Sequence, residues 1–144
     1  MEVIKSNKVI VDHLHIPLQA RSDEILKAMN RKYNLDYYKN KIKQIRSIRP
    51  DISISTDIIV GFPGEDEKLF EQTLKTAQSI AFSKIHVFPY SIRKNTKAAS
   101  MPNQVDGKIK KERAKRLIEL SKELEIEYMN KFIGKTVEVL TENN

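Results

Sequence analysis

Along residues 52–60 apolar and polar side chains take turns, and a period of two is the signature of an extended strand. Ile52, Ile54, Ile58 and Val60 fall on one face, while Ser53, Ser55, Asp57, Ile59 and Gly61 fall on the other. The first face needs helices against it; the second asks for polar company. Gly61, Phe62, Pro63 and Gly64 then form a bend, and Asp66 stands where a helix N-cap belongs. A strand that buries one face under helices and turns a mixed face to a hollow, then breaks at a glycine bend, is the expected form of a parallel β/α barrel strand. Sites in such folds lie at the C-terminal ends of the strands.

The surrounding pattern agrees. Residues 9–11 and 14–19 read as one buried strand ending at Pro17 and a turn, with Ser22 or Asp23 capping a helix over 24–31. A second helix is expected over 34–47, with Leu35, Tyr38, Ile42 and Ile45 as its apolar stripe, stopped by Pro50. After Asp66 a helix presents Phe70, Leu74, Ala77 and Ala81, and residues 84–90 form a strand that enters a polar loop over 91–103. A long helix over 106–131 carries Leu117, Leu120, Leu124 and Tyr128, and residues 136–140 begin a further strand. Strands separated by helices imply parallel crossovers and an α/β sheet. Three strands make an incomplete barrel, so the 144 residues read as a piece of a longer protein. Its open sheet edge is expected to be covered by a second copy, as a homodimer.

Lysine and arginine number 26 against 19 acidic residues, a net charge of +7, which favours a polyanionic partner. Between residues 21 and 49 nine basic residues face three acidic ones; from 108 to 116 six basic residues face only Glu112. Lys108, Lys110 and Lys111, with Arg93 in the loop after a strand, are the candidate phosphate contacts; a solvated helix face explains the first cluster as well. Cysteine is absent, which excludes disulfides, a cysteine nucleophile and thiolate-held metal within these residues. No apolar run approaches the length of a membrane span, and the N-terminus lacks a signal-peptide core, so a cytoplasmic setting with no membrane contact is expected.

The succession His13 to Gln19, then Met29 to Tyr33, Thr56 to Glu65, His86 to Ser91 and Met101 to Val105 resembles the radical S-adenosylmethionine tRNA methylthiotransferases, the MiaB-like family, in order and spacing. The resemblance implies that residues 1–131 are the C-terminal portion of a radical SAM TIM-like barrel. Residues 132–144 would then be the truncated first strand of a TRAM domain. It implies an enzyme that inserts a 2-methylthio group into a hypermodified adenosine beside the tRNA anticodon, using S-adenosylmethionine and [4Fe–4S] clusters. Iron–sulfur clusters need thiolates. The resemblance therefore places the cluster ligands in a missing N-terminal portion, and the piece by itself is expected to be inactive, with no catalytic residue of its own. His86 and Pro89 favour the threonylcarbamoyladenosine branch over those acting on isopentenyladenosine or a ribosomal protein. An RNA-binding or assembly module of the same fold, without catalysis, is the alternative from a different class.

Carried across by position, Ile59 and Gly61 match a strand whose isoleucine packs on the cofactor's adenine, and Asp57, Gln19, Ser22 and Phe88 join them as candidate cofactor contacts. Ala20 and Arg21 replace a serine and a glycine usual in the family's loop. For Asp57 a structural carboxylate held by a backbone or lysine partner is the competing reading, for Gly61 and Gly64 simple bend geometry, for Phe88 simple core. His13 and His15 share a strand face that His86 approaches, and packing or hydrogen bonding in the hollow, not a metal site, is expected of them.

Overall fold

The computed structural model describes residues 13–18 and 34–136. Three parallel strands form one sheet in the order β1, β2, β3, where β1 is His13–His15, β2 is Ser53–Val60 and β3 is Lys84–Pro89. Helix α1, Leu35–Ile48, connects the first two strands and α2, Glu67–Ile80, the second two; α3, Gly107–Asn130, follows β3 after a short 3-10 turn at Ala98–Ser100. The architecture is the expected α/β sheet, and the described residues close no barrel. The expected strand at 9–11, the helix over 24–31 and residues 137–140 lie outside the described residues.

The alternation of β2 is realised as written. Ile54, Ile58 and Val60 are fully buried and Ile52 nearly so, in one core with Leu35, Tyr38, Ile42 and Ile45 of α1, Phe70, Ala77 and Ile80 of α2, and Leu117 and Leu124 of α3. At about 25 cal/mol per Å² of apolar surface withdrawn from water, this shared core supplies the main drive for folding. Register carries the other face across the sheet: His13 pairs with Ser53 and His15 with Ser55, while Ser55, Asp57 and Ile59 pair with Lys84, His86 and Phe88.

Each helix starts on a side-chain cap. Asn34 accepts from the Tyr37 N–H, Asp66 from Leu69 and Asp106 from Lys108. Helix α2 ends one residue earlier than its stripe suggested: Ala81 is the C-cap in the left-handed region, φ 57°, and Arg46 donates to the carbonyls of Ile80 and Ala81. Thr73 and Thr76 take buried places on α2 that the apolar count passed over. Ser121 of α3 accepts from the Ile85 N–H at 2.9 Å and donates to its carbonyl. Helix α3 thus meets the backbone of β3 at that point.

Beyond β1 the chain leaves the ladder, and a fully buried hydroxyl guides it. Thr56 Oγ1 accepts from the Leu18 N–H and donates to the Ile16 carbonyl, both at 2.8 Å, and the Tyr38 hydroxyl donates to the same carbonyl at 2.6 Å. After β2, Gly61 turns at φ +74°, and its N–H donates to Glu65 Oε1 at 2.9 Å. A Cβ on Gly61 would lie 2.1 Å from Lys110 Cγ, because the lysine stem runs across that glycine.

Two outcomes follow from these contacts. Thr56→Val keeps the shape but strands the Leu18 N–H, so chemical denaturation should show a loss of about 1–3 kcal/mol; unchanged stability would mean the bridge contributes nothing. Gly61→Ala should cost about 1–2 kcal/mol for the left-handed conformation alone, with an added steric part that Lys110→Ala in the same chain relieves. A double variant no more stable than Gly61→Ala would show that the lysine stem yields freely.

Candidate functional site

The mixed face of the sheet is a graded surface. Near the N-terminal ends of the strands it is polar: His13 Nδ1 is hydrogen-bonded to Ser53 Oγ at 2.8 Å, and Ser53 Oγ to Ser83 Oγ at 2.7 Å. One level up, His15 Nδ1 meets Ser55 Oγ at 2.8 Å, and its Nε2 lies 3.1 Å from Asp57 Oδ2. His86 tilts against His15 with ring centroids 5.5 Å apart. Asp57 therefore has a histidine partner in place of the backbone or lysine partner weighed for it.

Toward the C-terminal ends the face becomes apolar. Ile59 is half-buried, while its register partner Phe88 is 52 % exposed, more than core packing would leave it. Together with Tyr90, Ser91, Arg93 and Ala98 they line a cleft of about 350 Å³. A small second apolar cluster supports its floor: Phe62 packs against Ile59, Leu69, Tyr90, Ala98 and Met101, with the Phe62 and Tyr90 rings edge-on at 5.2 Å. The Tyr90 N–H donates to the Val60 carbonyl at 2.8 Å, and the Gly64 N–H to the Asn103 carbonyl at 3.0 Å, joining the loops after β2 and β3.

Helix α3 fixes those loops electrostatically. Lys110 Nζ donates to the Tyr90 carbonyl at 3.2 Å and lies over its ring. Arg113, buried, pairs with buried Glu65 at 3.0 Å and donates to the Glu65 carbonyl at 2.9 Å. Burial pushes the Glu65 carboxyl above its ordinary range, and the Gly61 N–H and the Arg113 charge draw it back. Arg116 bonds Glu67 at 2.7 Å and also Glu71, and holds the Glu67 carboxyl below its ordinary value. Such a buried pair does not by itself imply a gain in stability, since desolvation opposes the attraction, but removing one partner leaves the other charge unmet.

These contacts sort the residues singled out in the sequence. Asp57, Ile59 and Phe88 share one face, and Arg93 joins the last two at the cleft. Gly61 lies at the bend with its N–H engaged by the Glu65 carboxylate. Gln19 and Ser22 lie outside the described residues. Lys108 and Lys111 are exposed on α3, whereas Lys110 is drawn to Tyr90, and Arg113 and Arg116 are engaged by glutamates. The basic run on α3 therefore offers fewer charges to a polyanion than its count suggested. Arg113 falls on the Leu117 and Leu124 stripe by spacing, and that position was the available sign of a buried role.

The cleft thus presents an apolar shelf beside polar groups. An iron–sulfur cluster has no thiolate to hold it among these residues, because the sequence contains no cysteine. Among the described residues no helix is long and apolar enough to cross a membrane.

Comparison with known proteins agrees with this geometry. The model of the Radical SAM superfamily matches residues 1–77. The chain is 46 % identical over 142 residues to the tRNA-2-methylthio-N(6)-dimethylallyladenosine synthase of Desulfitobacterium hafniense (strain Y51), covering 99 % of this chain and 32 % of that protein. The protein of the same name from Thermoanaerobacter sp. (strain X514) is 50 % identical over 133 residues, 92 % of this chain and 28 % of the relative. The threonylcarbamoyladenosine tRNA methylthiotransferase MtaB of Bacillus subtilis (strain 168) is 41 % identical over 142 residues, 99 % of this chain and 32 % of that protein. The chain thus spans about a third of the length of these relatives. Among solved structures, the radical SAM enzyme coproporphyrinogen III oxidase from Escherichia coli shares the fold with a TM-score of 0.64 at 18 % identity, over 78 % of this chain and 27 % of that one. A parallel sheet with this cleft at its C-terminal end, matched over more than half its residues by that family, places the chain in the radical SAM superfamily.

Proposed function

We propose that the chain is part of a tRNA methylthiotransferase that places a 2-methylthio group on an N6-modified adenosine. The observation that carries the reading is the exposed Phe88 beside Ile59 at the C-terminal ends of parallel strands, on the same face as Asp57. In this reading Ile59 and Phe88 receive the adenine of S-adenosylmethionine, Asp57 bonds a polar edge of cofactor or substrate, and Gln19 and Ser22 are further cofactor contacts. Gly61, at the bend after β2, is a further cofactor contact in this reading. Once bound, the cofactor supplies a radical able to break an unactivated C–H bond; the cysteines that reductive cleavage requires come from outside these residues, and the 144-residue piece is inactive alone. The protein is cytoplasmic, and residues 132–144 open a TRAM-type RNA-binding domain. A second copy pairs with an edge of the sheet.

The relatives divide on the adenosine. Those at 46 % and 50 % identity are named for dimethylallyladenosine, and the one at 41 % for threonylcarbamoyladenosine, the branch that His86 and Pro89 favour. Mass spectrometry of tRNA nucleosides from cells lacking the gene separates them. Loss of the methylthio form of threonylcarbamoyladenosine supports the branch favoured by His86 and Pro89; loss of the dimethylallyl form assigns the other. An unchanged nucleoside profile would overturn the activity and leave the binding module. Phe88→Ala in the complementing gene should lower the methylthiolated product at least about tenfold, corresponding to about 1.4 kcal/mol of lost stabilisation.

Arg93 at the cleft rim and the exposed Lys108 and Lys111 are the proposed tRNA phosphate contacts, with Lys110 turned inward to Tyr90. Replacing Arg93 by Ala should weaken tRNA binding and reduce the slope of log affinity against log salt by about 1. A salt slope equal to that of the unaltered protein would remove Arg93 from the phosphate path.

A further inference from the structure

The geometry points to a mononuclear site for a divalent transition-metal ion on the sheet's inner face, formed by His15, Asp57 and His86. The three residues come from three adjacent parallel strands, and their nitrogen and oxygen donor atoms all lie within 4.8 Å of one another. His15 Nε2 and Asp57 Oδ2 are 3.1 Å apart. Ligands at about 2.1 Å from one ion, at tetrahedral or octahedral angles, stand about 3.0–3.4 Å from each other. That pair already has the spacing of two ligand positions, and His86 offers a third donor within 4.8 Å of both.

A second observation supports the set. The far nitrogen of His15, Nδ1, is held at 2.8 Å by Ser55 Oγ, whose residue is buried. A metal-binding histidine characteristically has its other ring nitrogen fixed in this way, which sets the ring's orientation and the tautomer that presents the lone pair to the metal. In the metal-bound form Nδ1 would donate to Ser55 Oγ, and Nε2 and the Asp57 carboxylate would both face the cation. The His15 and Asp57 side chains are 38 % and 26 % exposed, so water or a substrate atom has room in the remaining positions. Two imidazoles and one carboxylate suit zinc, iron(II) or cobalt(II), and not magnesium or calcium, which favour all-oxygen sets. The hydrogen bonds expected of these histidines are present, and the proposal adds a ligand role for His15 and His86 to them. The proposal does not depend on which reaction the protein catalyses.

The full-length gene product is dialysed against Zn²⁺ after mild chelation, and bound zinc is counted by elemental analysis separately from iron. One zinc per chain is expected, undisplaced by excess Mg²⁺ and accompanied by a rise in melting temperature. Asp57→Asn and His86→Phe should each weaken binding at least tenfold and lose that rise, and Ser55→Ala should weaken it about tenfold. His86→Asp, which keeps a donor, should retain binding, as should His13→Ala. Because His86→Phe and His86→Asp alter the same exposed position, their difference reads the donor and not the fold. Zinc bound equally by the unaltered, Asp57→Asn and His86→Phe proteins, no stoichiometric zinc in the unaltered protein, or displacement by Mg²⁺ would overturn the site.

Discussion

A strand paired on both sides can point its side chains only above and below the sheet, and everything notable in this molecule is arranged around that restriction on β2. Its even-numbered residues enter the core shared by three helices, so its odd-numbered ones are committed to the opposite face. A slip of one residue in register would exchange the two sets and bury Asp57 beneath α1 and α2. The cost of an unpaired carboxylate in that core, set against four well-packed aliphatic side chains, makes the observed register far the more stable one. Parallel pairing then transmits the choice to β1 and β3, which is why His15, Asp57 and His86 meet without being neighbours in sequence.

Much of this was legible from pattern alone, because burial imposes a period. The inward direction of Asp57 and Ile59, the cap at Asp66 and the stripe of α1 each depend on contacts within a few residues or on simple alternation. Ala81 was misplaced on the α2 stripe because spacing does not show where a helix stops; Arg46, distant in sequence, secures that end. The partners of the polar residues were hidden for the same reason. Thr56 reads as an interruption of an apolar face until Leu18 and Ile16 are brought beside it. Arg113 reads as one more charge in a basic run until Glu65 is found beneath it.

The charge pattern gives a related lesson about scale. A count of +7 describes the whole chain, yet the arginines on α3 are engaged by Glu65, Glu67 and Glu71, and Arg46 by helix carbonyls. The field that an approaching polyanion meets is set by the cations left exposed, such as Arg93, Lys108 and Lys111. Electrostatics inside the molecule and electrostatics at its surface draw on the same residues, and the fold decides the division.

Lys110, Arg113 and Arg116 follow one another at intervals of three along α3, and each reaches a different part of the cleft's surround: Tyr90, Glu65, and the pair Glu67 and Glu71. The helix thereby works as a cleat to which both strand-end loops are lashed. Both loops have hydrogen bonds of their own, and the helix that follows them adds the ties that fix them against the rest of the fold. Transplanting the glycine bend or the Phe88 strand into another scaffold would move the lining and leave behind what holds it open.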